Sequence, residues 1–560
     1  MDKGLCIDFL LQSLKERNIK KIVISSGTRN IPFVSRVEND DYFECFSVID
    51  ERNAAFFALG VSQQTSEPVV LTCTSGTSVA NYLSGLEEAF YSNVPLVAIT
   101  FDRSSYALNQ LETQKIDQIA ALKSAVKKSV DLPVIKDEDD KWYYQHLLSE
   151  AFICMEQHGY GPVHINVPII DPNELYNTNC DNLVIRSVDY INLKNDTILN
   201  KKLSELRNKK VLLVLGCNST WSNETKLKIE AFSKKYKCPV LADNLSNYHK
   251  ENLIFCEGII KGLNSKTIEK LLPDIIISVG TNFQERIKEI FRPHNSKIQH
   301  WSVSLDGKMK DCFKAQTCLF ECSEDEFFDC FNKTEYENAN CDYLLKWKDI
   351  VQNIKLPELP WCNFSVIGKL MKKIPDNSIV HFSILNATRI GQFYELDESV
   401  KAYSNVNTFG IDGCLPTFMG QAFSTDDLAF LVIGDLSFFY AMNALSIKHK
   451  KNNIRIMLIN NSGAAEFHIP PKTNVIPTID LHIGAAHNRT AKNWAEASGY
   501  EYLAATNSKE LEDNLQKFVS TEYEHPVFFE VFTNMKIDGE TCLAVYRNIE
   551  EQIKTILTEW

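Results

Sequence analysis

"LAFLVIGDLSFFYAMNALSIKHKKNNIRIMLINNSG", residues 428–463, decides the fold. An apolar run of strand length turns at Gly434 and Asp435, an amphipathic segment follows, and a second apolar run, "IRIMLIN", turns again at "NSG". Strand, turn, helix, strand is the rhythm of a parallel sheet covered by helices on both faces, whose buried strands read as continuous apolar runs. Residues 68–100, "PVVLTCTSGTSVANYLSGLEEAFYSNVPLVAIT", repeat that rhythm. Two α/β units of one build suggest an internal duplication, although too few residues are identical to prove it.

Working outward, the first α/β domain is expected over 1–175, closing at "GPVHINVPIIDP", where Pro168 and Pro172 end a strand. The polar stretch "NELYNTNCDNL" then reads as a linker. A central α/β domain is expected over 190–345, on the strand-like runs "KKVLLVLG", "PDIIISVG" and "KIQHWSVS". It has no GxGxxG, so a dinucleotide fingerprint is absent. The third domain is expected over 360–560. A chain of 560 residues fits such a division at ~150 residues per domain.

With 44% hydrophobic and 23% charged residues, the composition is globular. A net charge of −13 argues against a nucleic-acid partner, which needs a basic surface. The sixteen cysteines form no CxxC pair, which favours reduced thiols over zinc. The N-terminal "MDKGLCIDFLLQSLKERNIKK" has no signal-peptide pattern, and no apolar run approaches the ~18 residues that span a bilayer. A cytoplasmic protein is expected.

In open α/β sheets, ligands bind beyond the carboxyl ends of strands. There the third domain offers "GD" at 434–435 and "NNSG" at 460–463. Asp435, Asn461 and a backbone carbonyl near Gly463 are hard oxygen donors suited to Mg²⁺ (or Mn²⁺), with phosphate and water completing the shell. Gly434 permits close approach of a phosphorylated group to the backbone, and the following helix offers its N-terminus. Taken singly, GD and NN are common turn dipeptides. In the first domain, "SVIDERNAAFFALGVSQ", residues 47–63, places Asp50 and Glu51 where a helix starts. A helix cap is the simplest use for a carboxylate there.

GD followed some twenty-five residues later by NN resembles the signature of thiamine diphosphate (ThDP) enzymes. More closely, the chain resembles the MenD family, the ThDP-dependent 2-succinyl-5-enolpyruvyl-6-hydroxy-3-cyclohexene-1-carboxylate synthases of menaquinone biosynthesis. The resemblance rests on "SSGTRN", "IDERNAAFFALG", "CTSGTSVANYL", "EAFYSNVPLVAITFDRS", "QKIDQ" and "GPVHINVP", then on "YSN", "GIDG", "GDLSFFYAMNAL" and "NNSG". It covers nearly the whole chain and is weakest in the middle. It implies pyrimidine-binding, central and diphosphate-binding domains, in that order. It also implies that Glu51 contacts the aminopyrimidine N1′ and shares the activating proton there, so Glu51 reads better as cofactor activator than as cap. Asp435, Asn461 and the Gly463 carbonyl would hold the metal, with Gly434 and Leu436 beside the cofactor and Ile411 beneath it. Thr77 and Gln118 match residues that face the reacting end, Gln118 among the catalytic ones. Arg29, Arg103 and Arg389 match arginines that bind substrate carboxylates; for Arg29 and Arg103 the plain alternative is a surface arginine.

Departures from the family pattern cluster where substrates bind. Leu385 stands for a serine in "ILNATR", Val406 for an arginine in "YSNVNTFGIDG", Ile287 follows Arg286 where a Lys-Arg pair falls, and Glu466 occupies an apolar position. The expected activity is therefore ThDP- and Mg-dependent decarboxylation of a 2-oxo acid, pyruvate or another monocarboxylate favoured, with transfer of the acyl carbanion to a small-molecule acceptor. Glu466 would stand near the reacting centre as a proton donor or an anchor for the acceptor, unless it faces solvent. The alternative is the genuine synthase, acting on 2-oxoglutarate and isochorismate; a silent scaffold paralogue is a third reading. The resemblance further implies a homodimer or dimer of dimers.

Overall fold

The computed structural model describes residues 5–169, 185–193, 196–217, 221–338, 341–407, 409–469, 476–522 and 524–560. Pro172 and the linker expected at 173–183 lie outside these residues. Among the described residues nineteen strands appear in chain order. They are β1 (Lys21–Ile24), β2 (Glu44–Ser47), β3 (Val69–Cys73), β4 (Leu96–Asp102), β5 (Lys128–Asp131), β6 (Val163–Pro168), β7 (Asp189–Asn192), β8 (Val211–Leu215), β9 (Val240–Ala242), β10 (Leu253–Phe255), β11 (Ile275–Val279), β12 (Gln299–Val303), β13 (Gln316–Glu321), β14 (Ile379–Phe382), β15 (Lys401–Ser404), β16 (Ala429–Gly434), β17 (Ile454–Asn460), β18 (Glu501–Ala505) and β19 (Val527–Phe532).

They build three sheets flanked by helices, as the α/β reading expects. The first runs β2-β1-β3-β4-β6-β5 and the third β15-β14-β16-β17-β19-β18. Strand for strand these are one topology, and every pairing in both is parallel. The shared order supports the duplication that the sequence rhythm suggests. The middle sheet has seven strands, of which β10-β9-β8-β11-β12 are adjacent and parallel.

Packing divides the chain into two compact units, Met1–Tyr190 with Gln316–Leu319, and Ile191–Ala315 with Phe320–Trp560. In the first unit, alternate residues of each buried strand serve opposite faces. Ile22, Val70 and Val97 join one core, while Val23, Leu71 and Ala98 join the other. Gly85, in the helix Leu83–Tyr91, lets that helix close on Glu51–Thr65: a Cβ there would stand 2.5 Å from the Ala55 Cβ.

In the second unit, strands β8–β11 of the middle sheet and the third sheet share one continuous core. Buried amides link them. Asn244 donates from its backbone to Gln392 Oε1 at 2.8 Å, and Asn247 exchanges hydrogen bonds with the Ala402 backbone at 2.8 and 3.1 Å. The C-terminal helix Met535–Glu559 packs on the helix Cys256–Gly262. No disulfide forms among the described residues, and no helix among them is long and apolar enough to cross a membrane.

Candidate active site

β16 and β17 are neighbours and end together, so their two turns meet. Gly434 closes β16, and Asp435, 2% exposed, starts the helix Asp435–Tyr440. Its Oδ1 accepts the Leu436 N–H at 2.6 Å; its Oδ2 accepts the N–H groups of Asn461 at 3.0 Å and Gly463 at 3.1 Å. The second turn needs its glycine: Gly463 has φ +151°, and a Cβ there would meet the Gly484 carbonyl oxygen at 2.8 Å and the Met535 sulfur at 2.9 Å.

The Asn461 amide is oriented from behind. Its Nδ2 donates to Asp538 Oδ2 at 2.8 Å, so Oδ1 remains its free acceptor. Asp538 also accepts from Thr533 Oγ1 at 2.7 Å and the Asn363 N–H at 2.8 Å. Burial, with some help from Asp435, pushes the Asp538 carboxyl up to about 6. Beside these groups lies a cavity of about 310 Å³ lined by Ile411, Gly434, Asp435, Leu436, Asn461 and Glu466, among others. The Ile411 carbonyl accepts from Ser437 Oγ at 2.6 Å, and a Cβ on Gly434 would meet nothing within 4 Å. On the same wall, Asn386 Oδ1 is buried without a partner. Among the described residues no three His, Cys, Asp or Glu side chains cluster as metal ligands. A carboxylate, an oriented amide oxygen and backbone groups fit Mg²⁺ and not a thiophilic ion.

A second cavity, of about 460 Å³, opens at the carboxyl ends of the middle sheet's strands, bounded by Asp243, Asn282, Arg286, Leu385, Arg389 and Val406, among others. Leu385 lines both cavities and is held at φ +66°, a strained conformation for leucine. Arg389 Nη1 is bound to Glu466 Oε2, and both side chains are about three-quarters buried. Burial works against the Arg389 charge, but the hydrogen bond and charge of Glu466 more than offset it and raise its pKa. Glu466 thus lines the cavity, with about a quarter of its side chain still exposed. Arg286 pairs with Glu289 at 3.1 Å and donates to the Leu263 carbonyl at 2.8 Å.

In the first unit, Asp50 caps the helix Glu51–Thr65, and Glu51, half-buried, is its first residue. Thr77, exposed, starts the helix Thr77–Asn81 behind Gly76, at φ +81°. Gln118 is 1% exposed: its Oε1 accepts the Gly76 N–H at 3.0 Å, and its Nε2 donates to Asn166 Oδ1 at 2.7 Å and Thr100 Oγ1 at 3.2 Å. Arg29 Nη1 donates to the Ile169 carbonyl at 2.6 Å. Arg103 binds Glu112 at 3.2 Å and the Thr113 carbonyl at 2.7 Å, and its side chain is only 20% exposed, unlike an ordinary surface arginine. Sequence reasoning misses the buried pair beside it, Lys115 Nζ on Asp102 Oδ2 at 2.5 Å. "TFD" and "QKIDQ" contain both residues, but no spacing rule joins them. Asp538 is missed because it sits on the C-terminal helix, where an acid reads as ordinary helix surface.

Residues 6–121 match the family described as thiamine pyrophosphate enzyme, N-terminal TPP binding domain. The whole chain is similar to proteins named 2-succinyl-5-enolpyruvyl-6-hydroxy-3-cyclohexene-1-carboxylate synthase. That of Bacteroides fragilis is 34% identical over 560 residues, spanning 97% of this chain and 98% of the relative. The corresponding proteins of Phocaeicola vulgatus and Bacteroides thetaiotaomicron are 33% and 32% identical, with the same coverage. Together with the paired GD and NNSG turns, this full-length similarity identifies the chain as a member of the MenD family, ThDP-dependent enzymes that use a divalent metal such as Mg²⁺ to decarboxylate 2-oxo acids and transfer the acyl group.

Proposed function

We propose that the donor is a monocarboxylic 2-oxo acid such as pyruvate, and that the observation carrying this reading is the Arg389–Glu466 ion pair. A donor with a distal carboxylate needs a cation for it, because an unpaired buried charge is costly. Arg389 is already neutralised by the chain's own glutamate, the other cations of the same cavity, Lys261, Arg286 and Lys288, are paired with Glu257, Glu289 and Glu285, and Val406 and Leu385 add apolar surface. A dicarboxylic donor has to displace Glu466 and strand it three-quarters buried. A monocarboxylic donor requires no exchange.

The bound cofactor supplies the thiazolium carbon that stabilises the acyl carbanion. Around it we assign roles to this chain's residues. Asp435, Asn461 and the Gly463 backbone hold the metal, and Gly434, Leu436 and Ile411 bed the cofactor. Glu51 keeps a proton at the aminopyrimidine N1′. Thr77 and Gln118 face the reacting end, and Arg29 and Arg103 meet substrate carboxylates. Support comes from the oriented Asn461 amide, the open space at Gly434 and the division of labour between Asp50 and Glu51. We further infer the three domains at 1–175, 190–345 and 360–560, a cytoplasmic location, and a homodimer or dimer of dimers in which Glu51 of one copy serves the cofactor held by the third domain of another.

A second reading, the genuine synthase using 2-oxoglutarate and isochorismate, is favoured by the names of the relatives and by their near-complete coverage. The deciding measurement is kcat/KM for CO₂ release from pyruvate and from 2-oxoglutarate with Mg²⁺ and ThDP. Preference for pyruvate is expected. Preference for 2-oxoglutarate replaces the first reading with the second.

A further inference from the structure

His487 lies on a loop laid against the NNSG turn. Its backbone N–H donates to the Ser462 carbonyl at 3.0 Å, and Ala464 N–H donates to the Gly484 carbonyl at 2.8 Å. Within this loop Ala485 is held at φ +48°, a conformation alanine rarely adopts, so the loop's path is imposed by these contacts. The imidazole is only 6% exposed and meets the Phe439 ring edge-on, centroids 5.2 Å apart.

The tautomer follows from the hydrogen bonds. Nδ1 accepts the Arg489 N–H at 3.1 Å, which assigns the ring proton to Nε2. That N–H is buried and makes no hydrogen bond, yet it stands 3.4 Å from Asp435 Oδ2. At that separation a small reorientation of the ring brings the N–H into hydrogen-bond geometry with the carboxylate.

We propose that His487 is a positioning residue of the metal site, acting through Asp435. The N–H groups of Asn461 and Gly463 already donate to Oδ2 and the His487 Nε2 stands 3.4 Å from it, so a third donor is placed to restrain the carboxylate's rotation and leave Oδ1, with the Leu436 N–H alone, as the oxygen available to a cation. The proposal rests on Asp435 being a metal ligand. An outer group that orients a ligating carboxylate in this way typically changes metal affinity 10- to 100-fold.

The test is Mn²⁺ affinity in the presence of ThDP, followed by electron paramagnetic resonance, in full-length His487→Phe, His487→Gln and Asp435→Asn. Phe keeps an aromatic ring in the packed site and removes the donor; Gln supplies an amide donor. The expected result is a Mn²⁺ Kd raised about tenfold or more in His487→Phe and restored to within about threefold of wild type in His487→Gln. Binding within twofold of wild type in His487→Phe, or equal losses in the Phe and Gln variants, overturns the positioning role. A variant that fails to fold, judged by circular dichroism, leaves the comparison to the other and to His487→Asn, which also retains an amide donor: an Asn variant as weak as Phe overturns the proposal. If Asp435→Asn binds Mn²⁺ like wild type, the metal assignment fails. If that variant loses the metal while His487→Phe does not, only the role of His487 fails.

Discussion

Asp50, and not Glu51, caps the helix that follows them: Asp50 Oδ1 accepts the Asn53 N–H at 3.0 Å, and Glu51 begins the helix proper. The cap therefore leaves the Glu51 carboxylate free for the role proposed for it. Asp50→Ala should cost about 1 kcal/mol of stability, the usual value of such a cap, and leave turnover nearly intact. Glu51→Gln should unfold at the wild-type denaturant midpoint and lose ~10²- to 10⁴-fold in kcat, because the amide cannot share a proton with N1′. Glu51→Gln activity within about tenfold of wild type removes Glu51 from the mechanism.

Gln118 spends all its hydrogen-bonding atoms on the first unit. Truncation strands the buried Gly76 N–H and loosens Asn166, which also donates to Asp131 Oδ1 at 2.8 Å. Gln118→Ala should therefore lower stability by about 1–3 kcal/mol, the penalty for a buried group left unpaired. Urea unfolding reads it directly. A variant within about 0.5 kcal/mol of wild type but with impaired turnover shows Gln118 acting on substrate and not on the fold.

His164, in the buried strand β6, sits between Thr100 Oγ1 and Ser129 Oγ, each 2.7 Å from a ring nitrogen. Burial pushes its pKa down from 6.5 to about 3. Below about pH 6.5 the unfolded chain binds a proton that the folded one refuses. Its contribution is thus fully present above 6.5 and falls as pH drops towards 3, at ~1.4 kcal/mol per pH unit in mid-window. Asp243 and Asp538, both raised to about 6, act in the opposite direction between about 6 and 3.8, so the wild-type curve alone hides the effect. The readout is the difference between wild type and His164→Gln, which should vary with pH by that slope from 6 to 4. A constant difference places the histidine's titration elsewhere.

The strands and functional turns were legible because a strand buried on both faces must be apolar throughout and because a parallel sheet brings successive turns to one edge. The pair Asp435 and Asn461 is local in this sense, one strand apart. What escaped reading depends on chain returns. Asp538 reaches Asn461 across 77 positions, and His487 reaches Asp435 from a loop whose course follows no short motif. Glu257 is the extreme case. It is wholly buried, raised in pKa by that burial, with Lys261 at 3.6 Å as its paired cation, yet in sequence it is one helix acid among many. The Asp50 and Glu51 ambiguity was of another kind, since both readings were open in sequence and only the hydrogen bond to Asn53 separates them.

The Arg389–Glu466 pair makes donor choice alterable by design. Removing the carboxylate in Glu466→Ala deprives Arg389 of its hydrogen-bonded partner beside the cavity that Glu466 lines, and a substrate carboxylate is the natural replacement. Val406→Arg adds a cation to the part of the neighbouring cavity that Val406 and Leu385 line. A hydrogen bond to a charged group contributes about 1.5–3 kcal/mol, or roughly 10- to 100-fold in kcat/KM. Glu466→Ala should therefore raise the ratio of 2-oxoglutarate to pyruvate kcat/KM about tenfold, and the double variant should raise it further, since the two sites act on one carboxylate. An unchanged ratio refutes the idea that Glu466 stands in for a substrate carboxylate. Equal losses with both donors lead elsewhere: Glu466 then moves a proton for every substrate, and Arg389 serves to hold it in place.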